Sequence, residues 1–99
     1  MKNLEKMEEL SKGISVVKFF AEWCGPCRVY TPIMENVSKN VDGVSFYSVN
    51  TDEQPDLAAK FNVTGIPATF VVKDGKIVEN FTGIRNARDI TTLINKYKN

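Results

Sequence analysis

The chain contains no histidine. That absence removes Cys-His and Ser-His catalysis and the commonest metal ligand together. Cysteine is scarce too, with two in 99 residues. Closing an intramolecular zinc site would need two more Cys or His ligands, and the chain has neither. No run approaches the ~20 apolar residues of a membrane-spanning helix, so no membrane role is expected. Charge of neither sign prevails, because 13 Lys and Arg stand among 12 Asp and Glu for a net +1. Such a mixed, solvated surface exerts no general pull on nucleic acid or an anionic bilayer. Residues 1–12 carry Glu5, Glu8 and Glu9 and lack the apolar core of a signal peptide. A cytoplasmic protein is expected, in a compartment where a lone Cys pair is more often catalytic or metal-binding than structural. No nucleotide or flavin motif occurs, so no bound cofactor is expected.

What is present suits one compact domain over 1–99. The chain is 42% hydrophobic and 25% charged, an ordinary balance for a single core. Leu4, Met7 and Leu10 suggest a short amphipathic helix over 3–12, ended by Gly13. Residues 14–21 form an apolar, β-branched run that reads as a strand covered on both faces. A helix from about Pro26 to Asn40 follows, with Val29, Ile33, Met34 and Val37 as its apolar stripe and Pro32 as an expected kink. After the Asp42-Gly43 turn come a strand Val44–Val49, a short helix Gln54–Phe61 and a strand Ala68–Val72. Asp74-Gly75 closes a hairpin onto a strand Lys76–Phe81. A last helix, Asn86–Tyr97, turns Ile90, Leu93, Ile94 and Tyr97 inward. The order α-β-α-β-α-β-β-α implies a mixed sheet, in which strands joined by helices pair in parallel and the hairpin adds an antiparallel edge.

Both cysteines lie in Trp23-Cys24-Gly25-Pro26-Cys27, at the strand-to-helix turn. Residues three apart share a helix face, with ~5–6 Å between Cβ atoms, near the spacing a disulfide requires. Cys24 falls where free N–H groups and the helix dipole favour an anion, so its thiolate is the expected nucleophile. Cys27, one turn in, is placed to resolve a mixed disulfide. Pro26 stiffens the turn, Gly25 leaves room for a partner backbone, and Trp23 offers an apolar docking face. Three readings stand at this point: half of a zinc site shared across a dimer, a structural staple that closes very little loop, and redox exchange, which the strand–helix setting favours.

The segment Ala21 to Cys27, then Pro32, Gly65-Ile66-Pro67, Lys73-Asp74-Gly75-Lys76 and Gly83 resembles the thioredoxin family, in order, from about residue 14 onward. Cys-Gly-Pro-Cys is similar to thioredoxins proper rather than to relatives with CPYC (glutaredoxins) or CGHC (disulfide isomerases). The resemblance implies an α/β thioredoxin fold, a central four-stranded mixed sheet flanked by helices. It implies a cis Ile66–Pro67 bond beside Cys24, pairing of the Ile66 backbone with bound substrate, and close approach of a partner chain at Gly83. Trp23, Gly25, Pro26, Ile66, Pro67 and Gly83 would thus line the client surface. The implied activity is reduction of protein disulfides through a redox-active Cys24–Cys27 pair, by a monomer recycled by a separate thioredoxin reductase. A glutathione-dependent role and a binding module gated by the dithiol are the competing readings.

Two departures from the family pattern stand out. Where thioredoxins usually bury an aspartate below the second cysteine, this chain has Lys18, and a family lysine close to that aspartate corresponds to Ser48. Lys18 can run its stem along apolar surface to water, or it can tune the thiols. The N-terminal segment is also short, so the extra edge strand is expected to be missing or vestigial, leaving Val44–Val49 at the sheet edge.

Overall fold

The computed structural model describes residues 1–98. Five strands form one sheet: β1 (Lys2–Asn3), β2 (Ile14–Phe20), β3 (Val44–Asn50), β4 (Ala68–Lys73) and β5 (Lys76–Thr82), in the order β1-β3-β2-β4-β5. α1 (Gly25–Asn40) joins β2 to β3, α2 (Pro55–Lys60) joins β3 to β4, and α3 (Ala87–Asn95) follows β5. The central strand β2 alternates its side chains between two cores. Val16 packs with Tyr30, Met34, Ile90 and Ile94 on the α1/α3 face. Val17 and Phe19 pack with Leu4, Leu10, Leu57 and Phe70 on the other. In that second core the Phe19, Phe61 and Phe70 rings lie 5.0 to 5.5 Å apart in tilted or edge-on pairs. Each such ring contributes roughly 1.5–3 kcal/mol through the apolar surface it removes from water.

The expected parallel pairing holds for β2 and β3 and fails for β4, which runs antiparallel to β2. The reason is reach. The 16 residues of α1 extend ~24 Å at 1.5 Å per residue, about the length of a seven-residue strand. α1 can therefore carry the chain back to the start of the sheet. The six residues of α2 extend only ~9 Å. The chain re-enters the sheet from the end it left, and the next strand must run the other way. The Asp74-Gly75 hairpin then forms as expected, with both residues at positive φ (50° and 84°), the conformation a tight two-residue turn needs. Asp74 also ties down the loop before β2: its carboxylate accepts from the Gly13 N–H at 2.8 Å, and its own N–H donates to the Gly13 carbonyl at 2.9 Å.

The N-terminus differs from the helix expected over 3–12. Its order is the two-residue β1 and a 3₁₀ turn at Met7–Leu10. The 3₁₀ turn takes in Met7 and Leu10 but not Leu4, which follows β1, so the three do not share one helical face. Leu4 and Leu10 are buried, while Met7 is exposed. β1 is the vestigial strand anticipated, and it covers β3 at Tyr47 and Ser48, so β3 is not the bare edge anticipated. On α1, Val29 faces solvent at 58% exposure, against expectation. Tyr30 takes the inward position instead. The helix passes through Pro32 as one element.

Candidate active site

β2 ends at Phe20, and the chain turns through Ala21–Trp23 into α1, with Cys24 as its N-cap in extended backbone geometry (φ −84°, ψ 109°). Cys24 and Cys27 are disulfide-bonded with Cα atoms 5.3 Å apart, the reach expected of two positions one turn apart. The Cys27 N–H donates to Cys24 Sγ at 3.2 Å. This donor is one of those a helix start leaves without an intrahelical partner, and it points at the sulfur that would carry negative charge. Both sulfurs are shielded in the oxidised state, with Cys24 at 4% and Cys27 at 2% exposure. What separates them is the groove rather than exposure. A cavity of about 490 Å³ is lined by Cys24 together with Trp23, Gly25, Pro26 and, across from them, Thr64, Gly65 and Ile66; Cys27 does not reach it.

The wall opposite Cys24 comes from the loop before β4. The Ile66–Pro67 bond is cis, and the Ile66 carbonyl oxygen lies 3.8 Å from Cys24 Sγ. Pro67 is buried behind this contact, and its carbonyl accepts from the Gly83 N–H at 2.8 Å. Gly83 has φ +94° and open space where a Cβ would stand, so its neighbourhood admits another chain and its backbone conformation disfavours any other residue. Gly65 has the reverse constraint: a Cβ there would come 3.1 Å from the Thr82 methyl. Trp23 is 70% exposed. Its indole N–H donates to Asp52 at 2.9 Å, which fixes the ring at the groove rim.

Lys18 is buried rather than laid along the surface. Only 4% of it is exposed, and its Nζ donates to Thr31 Oγ1 at 3.1 Å. Thr31 in turn donates to the Cys27 carbonyl at 2.9 Å. Burial lowers the proton affinity of the amine below the ordinary lysine range, and the Glu35 charge raises it in part. Close by, the Tyr30 hydroxyl is hydrogen-bonded to Thr69 at 2.8 Å, and burial pushes its pKa up to about 12.

Trp23, Cys24, Gly25, Pro26 and Ile66 therefore line one groove, Cys27, Pro67 and Gly83 stand beside it without lining it, and the Asp74-Gly75 turn lies at the opposite end of β4. Sequence reasoning missed Asp52, Thr31, Glu35 and Thr64. Asp52 and Glu35 carry no local signal that would mark them. Thr31 could have been found from its place one helical turn beyond Cys27, and Thr64 from its position just before Gly65-Ile66-Pro67. Among the described residues no cluster of three or more potential metal ligands occurs.

Comparison with known proteins agrees with this geometry. The thioredoxin family model matches residues 2–96. The chain is 40% identical to a thioredoxin of Chlamydia pneumoniae over 88 residues, 89% of this chain and 86% of that protein. It is 34% identical to a thioredoxin of Listeria monocytogenes over 91 residues, 91% and 88% of the two chains. Among solved structures, the oxidised thioredoxin of Plasmodium falciparum superposes with a TM-score of 0.86 at 33% identity, covering 100% of this chain and 99% of that one. The thioredoxin of Fasciola hepatica gives 0.83 at 38% identity, covering 93% and 88%.

Proposed function

The chain belongs to the thioredoxin family and is a thiol–disulfide oxidoreductase, and from that premise we propose a cycle in which Cys24 attacks and Cys27 resolves. Cys24, as thiolate, attacks one sulfur of a client disulfide. A Cys24–client bond forms, the client bond breaks, and the second client sulfur departs as thiolate and takes up a proton. Cys27 then attacks Cys24, restores the ring and releases the reduced client. The observation that carries this assignment is that Cys24, unlike Cys27, lines the groove, and that its Sγ accepts the Cys27 N–H at 3.2 Å. That donor stabilises charge at Cys24 and leaves Cys27 behind it.

Client docking falls to Trp23, Gly25, Pro26, Ile66 and Gly83, with buried Pro67 lying behind Ile66 rather than on the docking surface. The indole held by Asp52 gives a preset apolar plate, and open space at Gly83 leaves room for a client backbone. The Ile66 backbone, facing Cys24 at 3.8 Å, is the element that pairs with an extended client segment. Residues 1–99 act as one domain, a reading supported by the single sheet and the family match over 2–96. The dithiol is the electron carrier, with no bound cofactor, so electrons come from a separate reductase. The site of action is the cytoplasm, where thiols are kept reduced, and the active form is a monomer.

Insulin reduction in the presence of dithiothreitol tests the reading. The wild-type chain accelerates precipitation of the insulin B chain, and Cys24→Ser abolishes the acceleration. Cys27→Ser accumulates a mixed disulfide visible by mass spectrometry. A wild-type rate equal to dithiothreitol alone would sink the proposal. Sedimentation of the reduced protein checks the monomer.

A further inference from the structure

Lys18 is the only Lys, Arg, Asp or Glu side chain in the core among the described residues. Burying an ammonium group is costly unless it is paired and hydrogen-bonded. An apolar side chain would fill the position at lower cost, as Val16, Val17 and Phe19 do on the same strand. Two paths lead from this amine to the residues that carry the dithiol. One runs from Nζ to Thr31 Oγ1 (3.1 Å) and from Thr31 to the Cys27 carbonyl (2.9 Å). The other is the Phe20 ring, whose centroid lies 5.1 Å from Nζ. Phe20 packs against the cluster of Ala21, Cys24 and Cys27, and its ring face attracts a cation.

The groups around Lys18 are few. α1 contributes Thr31, the neutral Tyr30 phenol and the charge of Glu35, whose carboxylate is itself paired with the N-terminal amine at 3.5 Å. β3 places Ser48 opposite Lys18 in register, and β4 places Thr69 there. Glu35 is thus the carboxylate acting on the amine, and its charge is shared.

Resting on the dithiol cycle above, we propose that Lys18 is a positioning residue for the resolving step, supplying through its ammonium form the positive charge that lets buried Cys27 become a thiolate near neutral pH. In the mixed disulfide Cys24 is bonded to the client and Cys27 is a thiol. Cys27 gives up its proton and its sulfur bonds to Cys24. The Cys24–client bond breaks, and the client sulfur leaves as thiolate and is protonated, so two electrons pass from the dithiol to the client. A neighbouring cation favours the Cys27 thiolate. An ammonium does so by its field, and an amine does so by taking the thiol proton. Both routes end in the same ammonium–thiolate pair. Favouring the thiolate stabilises the reduced protein and makes the couple more oxidising.

Three variants separate this from a packing role. Lys18→Met keeps the stem without the charge, Lys18→Asp reverses the sign, and Thr31→Val cuts the hydrogen-bond path while keeping the lysine. Two quantities are read: the equilibrium constant with a glutathione redox buffer, and the pH dependence of thionitrobenzoate release from a mixed disulfide at Cys24, by stopped flow. In Lys18→Met the equilibrium moves tenfold toward the disulfide, about 30 mV more reducing. Release at pH 7 slows about tenfold, with its pH profile displaced to the alkaline side, as expected when a favourable neighbouring charge is removed. Lys18→Asp moves both further the same way, and Thr31→Val moves them part way. If Lys18→Met, or Thr31→Val should the former not fold, stays within twofold of wild type in both readouts, the proposal is overturned, whatever happens to thermal stability. Wild-type insulin reduction is assayed alongside. Its absence would remove the cycle itself, whereas its presence with unshifted variants removes only the role of Lys18.

Discussion

Tyr30 offers the clearest acid–base signature at the residue scale. Its phenol is fully buried beside Thr69, and its pKa rises from 10 to about 12. The folded state therefore holds its proton more tightly than the unfolded chain does. The resulting stability is fully present below pH 10 and is lost as pH rises from 10 toward 12, a loss on the order of 2–3 kcal/mol by linkage. Tyr30→Phe should flatten that alkaline decline, while costing about 1 kcal/mol at neutral pH for the Thr69 hydroxyl left without its partner. Urea titrations across pH 8 to 12 check both signs. Lys18 acts in the opposite sense, since its folded-state pKa lies below the ordinary lysine value. Between those two pH values the unfolded chain binds more protons, so stability rises with pH. That rise should vanish in Lys18→Met, in the same titrations. Sequence alone could say that Lys18 departs from the family pattern. It could not say that the side chain is enclosed, because enclosure depends on α1 lying across this part of β2.

At the scale of elements, the ends of the helices do most of the positioning. Cys24 caps α1 with its own sulfur, so the nucleophile and the helix start are one feature. α3 begins with Asn86, whose side chain accepts from the Asp89 N–H at 2.8 Å and does not line the groove at Cys24. Asn86→Ala should cost about 1 kcal/mol of folding stability and leave insulin reduction near the wild-type rate, which denaturation and turnover assays on one preparation would show. Most elements were legible from local pattern: the β-branched run of β2, the Asp-Gly turn and the inward stripe of α3. The N-terminal segment was not, because apolar residues three apart suit a 3.6-residue turn and a three-residue turn alike in so short a stretch. The direction of β4 was misread for a different reason. It follows from the length of α2 measured against a strand, a comparison of two elements rather than a property of either.

Across the whole molecule, the sheet order places β2 between β3 and β4, with both of its faces covered. β1 contributes two residues at one edge. Native-state hydrogen exchange should therefore be slowest in β2, opening only with global unfolding, and fastest in β1, whose loss exposes little apolar surface. Amide exchange followed by NMR would read this, and β1 amides as protected as those of β2 would contradict it. The same arrangement brings the loop at Ile66 to within 3.8 Å of Cys24 across 42 residues of sequence. The dithiol, its place at a helix start and the identity of its flanking residues were determined by the amino-acid sequence, because they depend on neighbours three or four positions apart. The groove opposite Cys24, the tether of Trp23 to Asp52, the reversal of β4 and the burial of Lys18 against α1 were decided only by tertiary structure. Each needs two distant segments at one place, and packing of the shared core, not local preference, sets where those segments meet.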